Sequence, residues 1–218
     1  MINQGIGTRE YYELYYSSRD WRFYRSILTT IIMYSQPGPI LDVGAGTGFI
    51  VEGALRWGLD CKGIEGSKDA IIIARHRYPE IDIVQSVLNE PFPFSSQTFQ
   101  TVIMNQVIEH LEPDVAEICI GEAYRVLVPG GLLYVASPSR FNRHEKKADP
   151  THINLYSPQE LFQLLFSKGF RHISPMNTPF NFLGNSFIGK GLTSCLFRLT
   201  AWDWLSASAT CISYKPMP

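Results

Sequence analysis

Three glycines spaced two residues apart follow a short apolar run that contains one acid. The acid is Asp42, and the glycines are Gly44, Gly46 and Gly48. Because glycine has no side chain, a turn built from it can bend sharply and lie directly against a ligand. A carboxylate beside that turn can receive an amino group. A turn that binds a pyrophosphate requires G-x-G-x-x-G, and here Phe49 departs from that pattern. The stretch therefore predicts a nucleotide-type pocket whose ligand carries no pyrophosphate.

A second acid and an amide pair close two further apolar runs. Glu65 lies roughly 20 residues beyond the glycine turn, where an acid can accept hydrogen bonds from two ribose hydroxyls. Asn105 and Gln106 end a later run. The carboxyl ends of parallel strands meet at one edge of a sheet, and ligands bind at that edge in open α/β folds. These polar groups are therefore expected to share one pocket with the glycine turn.

Histidines supply the candidate proton acceptors, because their unperturbed pKa lies near neutrality. His110 follows the fourth predicted strand, whereas His144 and His152 fall in a long polar loop. We predict His110 as a catalytic base or orienting group, with a structural role at a helix N-terminus left open. His152 is the second predicted catalytic residue, with anchoring of the loop as its alternative. His76 and His172 are expected on the second helix after the turn and near the sixth strand.

Strand and helix patterns alternate along most of the chain, and these elements must position the polar residues. Apolar runs predict strands at Ile40–Val43, Cys61–Ile64, Ile81–Val84, Thr101–Met104, Leu132–Ala136, Phe170–Ser174 and near Ala209–Tyr214. Helical spacing predicts helices at 9–34, Phe49–Trp57, Asp69–His76, Asp114–Leu127 and after Ser157. The run Pro129-Gly130-Gly131 is expected to end the fourth of these helices. This alternation indicates a mostly parallel sheet covered by helices on both faces.

The chain resembles the class I S-adenosylmethionine-dependent methyltransferases, of the type 11/12-like kind, through five motifs in family order. These motifs are 41–48 (LDVGAGTG), Glu65, 88–94 (LNEPFPF), 105–111 (NQVIEHL) and 125–131 (RVLVPGG). The resemblance is dense over 37–137 and loose elsewhere. It implies a Rossmann-like three-layer sandwich, in which a seven-stranded and mostly parallel sheet has an antiparallel last strand. It also implies methyl transfer from the sulfonium of S-adenosylmethionine to a nucleophile, with S-adenosylhomocysteine as the product.

S-adenosylmethionine suits the predicted pocket because it presents an amino acid end and a ribose rather than phosphates. The predicted cofactor-binding residues lie at the glycine turn and at the strand ends. They are Asp42, Gly44, Ala45, Gly46, Gly48, Phe49, Glu65, Gly66, Leu88, Asn105 and Gln106.

Two positions depart from the family pattern. Val87 stands where relatives often carry an aspartate that accepts from the adenine amino group, and Gln100 stands where they often carry aspartate. Adenine is then expected to be held by backbone groups near Leu88 and by apolar packing. Loss of one specific acceptor lowers the expected affinity for the cofactor.

We predict no metal in the site, and a divalent ion is the less favoured alternative. Some O-methyltransferases, of the ubiquinone type and of the type acting on small-RNA ends, carry Glu-x-x-Glu-His and a later histidine. Here Gln106 replaces the first glutamate, which leaves Glu109, His110 and His152. Three such ligands can hold an ion that polarises a hydroxyl.

The resemblance is compatible with one domain over 1–218, a length ordinary for a single domain. We expect 1–36 to form a helical lid, 37–138 to form the cofactor-binding half, and 139–218 to form the substrate-side half. This last half includes an aromatic insertion at 176–205. Core packing, an apolar wall for the acceptor, and a dimer or membrane-surface contact are all left open for that insertion.

The composition of the chain limits which binding partners and cellular compartments are expected. The net charge is −1 and the sequence pI is about 6.5, so a broad electrostatic footprint for nucleic acid is absent. The four cysteines form no C-x-x-C pair and suit a reducing compartment. No signal peptide or membrane-spanning run of apolar residues is visible, and a cytoplasmic location is expected. The expected partner is a small-molecule acceptor, for which apolar, sugar-linked and lipid-linked compounds are left open, as is a homodimer.

The leading hypothesis is therefore a methyltransferase that modifies an oxygen, nitrogen or carbon of a small molecule. The alternative is a scaffold or regulatory subunit that binds S-adenosylmethionine without catalysis, which the departures at Val87 and Gln100 motivate. A nicotinamide-dependent oxidoreductase is disfavoured because position 49 carries a bulky side chain where that fold requires glycine or alanine.

Overall fold

The structure is a computed structural model, and it describes residues 8–16, 18–142, 149–178 and 206–218. Two predicted features lie outside these residues. One is His144, and the other is the aromatic insertion from position 179 to 205.

Within the described part of the chain, seven strands form one sheet in the order β3-β2-β1-β4-β5-β7-β6. Their bounds are β1 Ile40–Val43, β2 Cys61–Glu65, β3 Ile83–Gln85, β4 Phe99–Asn105, β5 Leu127–Pro138, β6 Arg171–Pro175 and β7 Ser208–Tyr214. Strands β1 to β5 pair in parallel, and β7 runs antiparallel to both β5 and β6. The predicted fold class is therefore confirmed, including the antiparallel last strand.

Six α-helices are described, together with two short 3₁₀ helices at Trp21–Tyr24 and Ile108–His110. The α-helices are α1 Arg9–Tyr16, α2 Arg25–Tyr34, α3 Phe49–Arg56, α4 Lys68–Arg77, α5 Pro113–Val126 and α6 Pro158–Ser167. Helix α6 begins with a capping box, in which the Ser157 hydroxyl accepts from Glu160 N and the Glu160 carboxylate accepts from Ser157 N. This start matches the prediction from Ser157 and Pro158.

The side chains of the sheet alternate between its two faces and pack into two separate hydrophobic cores. Leu41 and Val43 of β1 pack on one side with residues of α5 and α6, such as Ile120 and Leu161. Ile40 packs on the opposite side with residues of α2 and α3. Because successive side chains of a strand point to opposite faces, Asp42 lies on the face of Ile40. The acid of the predicted motif is thus directed into the layer that α2 and α3 cover.

The strand order reverses direction between β1 and β4. The chain passes outward through β2 and β3 and then returns to pair β4 with β1. In open α/β sheets, a ligand crevice forms outside the carboxyl ends of the strands at such a switch point. The glycine turn after β1 and the residues that end β2 and β4 therefore border one crevice.

Three predicted boundaries needed correction. Helix α5 ends at Val126, and β5 begins at once, so Pro129-Gly130-Gly131 lies inside a strand instead of separating helix from strand. Gly130 adopts φ +77°, and the β4–β5 register shifts between Phe99 and Thr101, which is how the strand absorbs this run. Strand β3 begins later than predicted because Ile81 N donates to Tyr78 O in a turn.

The N-terminal helical prediction is also divided by the structure. The segment predicted as helical over 9–34 forms α1, the first 3₁₀ helix and α2 in succession. Asp20 caps the 3₁₀ helix by accepting from Arg22 N at 2.8 Å. Among the described residues, none of the helices has the length and apolar character needed to cross a bilayer.

The last glycine of the turn has a packing role that generates a first prediction. Gly48 adopts φ +76°, and a methyl group built there would overlap Ile81 Cδ1 and lie 2.9 Å from Ile83 Cδ1. Gly58 has a similar φ of +73°, but nothing lies within 4 Å of its corresponding methyl position. We expect Gly58→Ala to cost about 1–2 kcal/mol of unfolding free energy from backbone strain. Gly48→Ala should cost about 1–3 kcal/mol more, because it also overpacks the core.

Urea denaturation of the two variants measures this difference. Gly58→Ala is the matched control, since it shares the backbone conformation and lacks the steric overlap. Equal losses of stability would contradict the packing role of Gly48.

Candidate active site

Two cavities adjoin at the carboxyl edge of the sheet. One, of about 370 Å³, is lined by Asp42 and is called here the Asp42 cavity. The other, of about 460 Å³, is lined by Glu65 and is called the Glu65 cavity. Tyr16, Gly44 and Gln106 line both. The glycine turn and the end of β4 therefore form the boundary between two connected compartments, as an elongated ligand would require.

The Asp42 cavity is aromatic with one acid at its base. Asp42 is buried, and this burial raises the pKa of its carboxyl well above the usual range, with the negative charge of Glu65 adding to the shift. Asn105 lines the same space. A cationic group entering this cavity would favour the ionised carboxylate and reverse the effect of burial.

Arg19 also lines this cavity, from the segment before the first 3₁₀ helix. Its guanidinium stacks 5.5 Å from the Tyr16 ring centroid and 4.9 Å from that of Phe23. The guanidinium also hydrogen-bonds to the Tyr24 hydroxyl, and its five N–H donors leave others that can meet a carboxylate. The cavity thus has an acid on the sheet and a cation on the N-terminal segment.

The Glu65 carboxylate is held by backbone donors from two turns. Glu65 Oε2 accepts from Gly46 N at 2.7 Å, and Oε1 accepts from Ser67 N at 2.8 Å. The Tyr12 hydroxyl donates to Oε1 at the longer distance of 3.5 Å. The carboxylate therefore has a fixed orientation, and its weakest partner is a side chain that a ligand hydroxyl can replace.

Helix α1 covers the Glu65 cavity with tyrosines. Tyr11 and Tyr12 are buried there, and the Tyr12 and Tyr16 rings stack with centroids 6.0 Å apart. A methyl group built on Gly46 would lie 3.6 Å from the Tyr16 hydroxyl. The tyrosines of α1 therefore lie close to the glycine turn, and both border the Glu65 cavity.

Gln106 has an unusual backbone conformation where the two cavities meet. Its φ is +57°, although it is not a glycine, and its N–H donates to Ala136 O at 2.8 Å. Such a conformation costs of order 1–3 kcal/mol and persists only where the surrounding structure imposes it. Sequence patterns identified the residue but contain no signal for this strain.

Most of the predicted cofactor-binding residues line the two cavities. Asp42, Gly44, Ala45, Phe49, Asn105 and Gln106 line the Asp42 cavity, and Gly44, Gly46, Glu65, Gly66, Leu88 and Gln106 line the Glu65 cavity. Gly48 lies outside both linings and faces the core instead. Val87, the departure from the family pattern, is exposed and lines the Glu65 cavity.

The two predicted catalytic histidines lie side by side. The ring centroids of His110 and His152 are 4.8 Å apart, with a tilt of 56°. His110 lines the Glu65 cavity, whereas His152 is buried and lines a smaller space with Arg140. Burial lowers the pKa of His110, and the neighbouring His152 lowers it further, against a raising effect of the Thr151 carbonyl. His110 is therefore neutral at neutral pH and can accept a proton.

The ligand atoms of Glu109, His110 and His152 all lie within 4.8 Å of one another. A tetrahedral ion with bonds of about 2.0–2.2 Å holds neighbouring ligand atoms roughly 3.4 Å apart. Glu109, His110 and His152 therefore lie close enough together to form a candidate cation site, although Gln106 replaces the first glutamate of the Glu-x-x-Glu-His pattern.

Two arginines that the sequence analysis did not select support the site. Arg125 donates to Phe92 O at 3.1 Å and to Phe94 O at 2.9 Å, and it pairs with Glu122, which accepts from Phe92 N at 2.7 Å. This clamp joins the third predicted motif, 88–94, which follows β3, to the end of α5. Arg77 stacks over Phe49 with its guanidinium 3.9 Å from the ring centroid and also donates to the Thr47 carbonyl.

Arginines of this kind are difficult to identify from a sequence, because their partners are backbone carbonyls far away in the chain. The sequence offered one signal for Arg125. It is the first residue of the 125–131 motif, which occurs together with the 88–94 motif. Arg19 had no signal of this kind, since only folding brings it to the Asp42 cavity.

Comparison with known proteins agrees with this geometry. Residues 41–135 match the sequence family described as a methyltransferase domain. A probable S-adenosylmethionine-dependent methyltransferase of Mycolicibacterium smegmatis is 31% identical over 134 residues, covering 60% of this chain and 51% of the relative. A demethylmenaquinone methyltransferase of Tropheryma whipplei is 28% identical over 182 residues, covering 79% of this chain and 72% of the relative.

A solved structure has the same fold. A methyltransferase from Archaeoglobus fulgidus, described as S-adenosylmethionine-dependent, superposes with a TM-score of 0.73 at 18% identity, covering 94% of this chain and 98% of the other. Residues 41–135 thus match a methyltransferase domain, and the predicted resemblance to the class I S-adenosylmethionine-dependent methyltransferases, whose methyl donor is S-adenosylmethionine, is confirmed. The chain spans about half the length of the first mycobacterial relatives that it matches.

The replacement of one acidic ligand by Gln106 yields a second prediction. We expect protein purified without chelator to contain no stoichiometric divalent metal, because Gln106 takes the place of a charged ligand and leaves only Glu109, His110 and His152 to hold the ion. Elemental analysis of the purified chain measures this, with a chelator-treated sample as control. One equivalent of zinc or manganese that chelation removes would contradict the prediction.

Proposed function

We propose that this chain transfers the methyl group of S-adenosylmethionine to a small-molecule acceptor, with the donor lying across both cavities. The observation that carries the proposal is the pair of carboxylates, Asp42 and Glu65, on either side of the glycine turn at the switch point of the sheet. S-adenosylmethionine has an ammonium group at one end and ribose hydroxyls near the other, which matches two acids in adjoining compartments. The 1–36 segment is proposed to act as a lid, since α1 covers Glu65.

In the proposed complex, the ribose lies against Glu65 and the amino acid tail enters the Asp42 cavity. One ribose hydroxyl replaces the Tyr12 hydroxyl on Glu65 Oε1, and the other donates to Oε2 of the same carboxylate. The ammonium group faces Asp42, and the carboxylate of the tail faces Arg19. Gly44 and Gly46 allow the sulfur-bearing chain to lie against the backbone between them.

Adenine is proposed to lie against Leu88 and Val87 in the Glu65 cavity. Val87 offers no acceptor for the adenine amino group, so apolar packing and backbone groups must hold the base. Tyr11 and Tyr12 of α1 line the same cavity and supply aromatic surface.

Methyl transfer requires few catalytic groups from the protein. Methyl transfer is an in-line displacement from a sulfonium, so positioning supplies much of the rate enhancement. Where the acceptor must lose a proton, we propose His110 as the base, since it is neutral and lines the cavity that holds Glu65. His152 is proposed to support the His110 ring, because it is buried and packs against that ring.

Quinol-type phenols are the acceptors we propose to test first. The Tropheryma whipplei relative is named for demethylmenaquinone, and a mitochondrial relative from Mus musculus, 34% identical over 108 residues, is named as a ubiquinone biosynthesis O-methyltransferase. A phenol proton suits a neutral histidine base. Cys61 and Cys119 are buried thiols, which supports the proposal of a reducing, cytoplasmic location.

A binding-only scaffold is the competing function, and turnover distinguishes the two. A supply of S-adenosylmethionine and a panel of phenols, amines and sugars should give S-adenosylhomocysteine, measured by mass spectrometry. Cofactor binding without product on any acceptor would favour the scaffold.

A third prediction concerns the ribose contact. We expect Glu65→Ala to weaken binding of S-adenosylhomocysteine by roughly 10- to 100-fold, because hydrogen bonds to a charged group contribute roughly 1.5–3 kcal/mol. Calorimetry measures the affinity. Since Glu65 also holds Gly46 N, the 2′,3′-dideoxy analogue is needed to separate ribose contact from loop support. The parent should prefer the natural ligand, and Glu65→Ala should bind both analogues equally. A preserved preference would contradict the ribose contact.

A fourth prediction concerns Arg19. We expect Arg19→Ala to weaken S-adenosylhomocysteine roughly 10-fold, because the carboxylate of the tail loses a charged partner. Binding of 5′-methylthioadenosine, which has no amino acid tail, should be unchanged. Arg22→Ala is the matched control, since Arg22 stacks on Trp21 and pairs with Asp20 instead of lining the Asp42 cavity. Equal losses for both ligands would show that Arg19 acts on the fold rather than on the tail.

A further inference from the structure

A segment of the long loop is hydrogen-bonded to the turn that carries His110. Ile153 N and Asn154 N both donate to the backbone carbonyl of Glu109, at 2.9 and 3.0 Å. Glu109 lies in the 3₁₀ helix Ile108–His110, directly before the histidine. The position of residues 149–154 relative to the His110 ring is therefore set by two backbone hydrogen bonds.

Within this arrangement, Nδ1 of His110 faces two oxygen atoms of one residue. The Thr151 carbonyl oxygen and the Thr151 hydroxyl oxygen each lie 3.2 Å from it. A carbonyl oxygen can only accept a hydrogen bond. A hydroxyl can donate or accept, so its direction depends on where its own proton goes.

Asp149 decides that direction. The Thr151 hydroxyl donates to Asp149 Oδ1, and Thr151 N donates to the same oxygen at 3.0 Å. An ionised carboxylate only accepts, so the hydroxyl proton points at Asp149 and the hydroxyl lone pairs are left to face His110. Both oxygens that face Nδ1 are therefore acceptors.

We propose that Asp149 and Thr151 are positioning residues that hold His110 in the tautomer protonated at Nδ1, which leaves Nε2 as the atom that takes the proton of the methyl acceptor. The tautomer of an imidazole is set by the hydrogen bond that its other nitrogen makes. This inference rests on the proposed function for its catalytic consequence, but the tautomer itself is independent of it.

The surroundings of Asp149 suit this role. Its carboxylate is buried and lies between two side chains. Oδ1 accepts from the Thr151 hydroxyl, and Oδ2 lies 3.7 Å from Nε2 of His152. Asp149, Thr151 and His110 thus form a chain in which each member orients the next. We call this chain of three residues the Asp149 relay. His152 packs against its His110 ring, and His110 is the histidine that lines the Glu65 cavity.

The test is the tautomer of His110 in full-length protein with bound S-adenosylhomocysteine. Nitrogen-15 NMR of histidine-labelled protein distinguishes a protonated ring nitrogen from an unprotonated one, and the spectrum of His110→Gln assigns the signals. We expect the parent to carry the proton at Nδ1. A parent protonated at Nε2 would overturn the proposal.

Three variants sharpen this fifth prediction. Asp149→Ala frees the Thr151 hydroxyl to donate to Nδ1, so the Nε2-protonated tautomer should become populated. Asp149→Ala combined with Thr151→Val removes the misdirected hydroxyl and leaves only the carbonyl, so the parent tautomer should return. Asp149→Asn keeps an acceptor oxygen and should resemble the parent. A purely structural role would leave the double variant at least as disturbed as Asp149→Ala, and that result would overturn the relay.

Turnover then separates the relay from the proposed function. With an accepted substrate, kcat should fall roughly tenfold in Asp149→Ala with KM for S-adenosylmethionine unchanged, and it should recover in the double variant. A tautomer shift without a change in kcat would leave the relay intact and overturn His110 as the base. An unchanged tautomer would overturn the relay whatever the turnover.

Discussion

The hydrogen bond between the Glu65 carboxylate and Gly46 N, at 2.7 Å, is the contact on which the site depends. It joins the end of β2 to the glycine turn after β1, so two segments of the chain approach a ligand as one surface. The bond is possible because β1 and β2 are parallel neighbours whose carboxyl ends lie at the same edge. A carboxylate that accepts from two backbone N–H groups has little freedom to turn away from the cavity.

The glycine turn does two different tasks, and its residues divide between them. Gly46 lines the Glu65 cavity, where a methyl group would meet no atom closer than the Tyr16 hydroxyl at 3.6 Å. Gly44 lines both cavities, and a methyl group there would also lie 2.7 Å from Val107 Cγ2. Gly48 faces Ile81 and Ile83 instead, where a side chain would overfill the core. Glycine thus serves ligand binding in one part of the turn and core packing in another, because it has no side chain.

Most of the fold could be predicted from sequence because the alternation of strand and helix patterns is strong. Strand β1 and the start of α6 were predicted at their observed positions, since an apolar run and a Ser-Pro start are local signals. The errors came where tertiary contacts overrode local ones. The run Pro129-Gly130-Gly131 is typical of a break, but Gly130 N donates to Lys215 O and Gly131 O accepts from Lys215 N, which holds the run within β5.

The sequence by itself determined the resemblance to a methyltransferase family, the glycine turn with its two acids, and the pair of candidate histidines, because residue types at fixed spacing carry this information. Only the tertiary structure decided which cavity each residue lines and which atoms face one another. Arg19 reaches the Asp42 cavity, and Thr151 reaches His110, across long stretches of chain. Hydrogen bonds of this kind depend on distance and direction between atoms, and a linear order of residues contains neither.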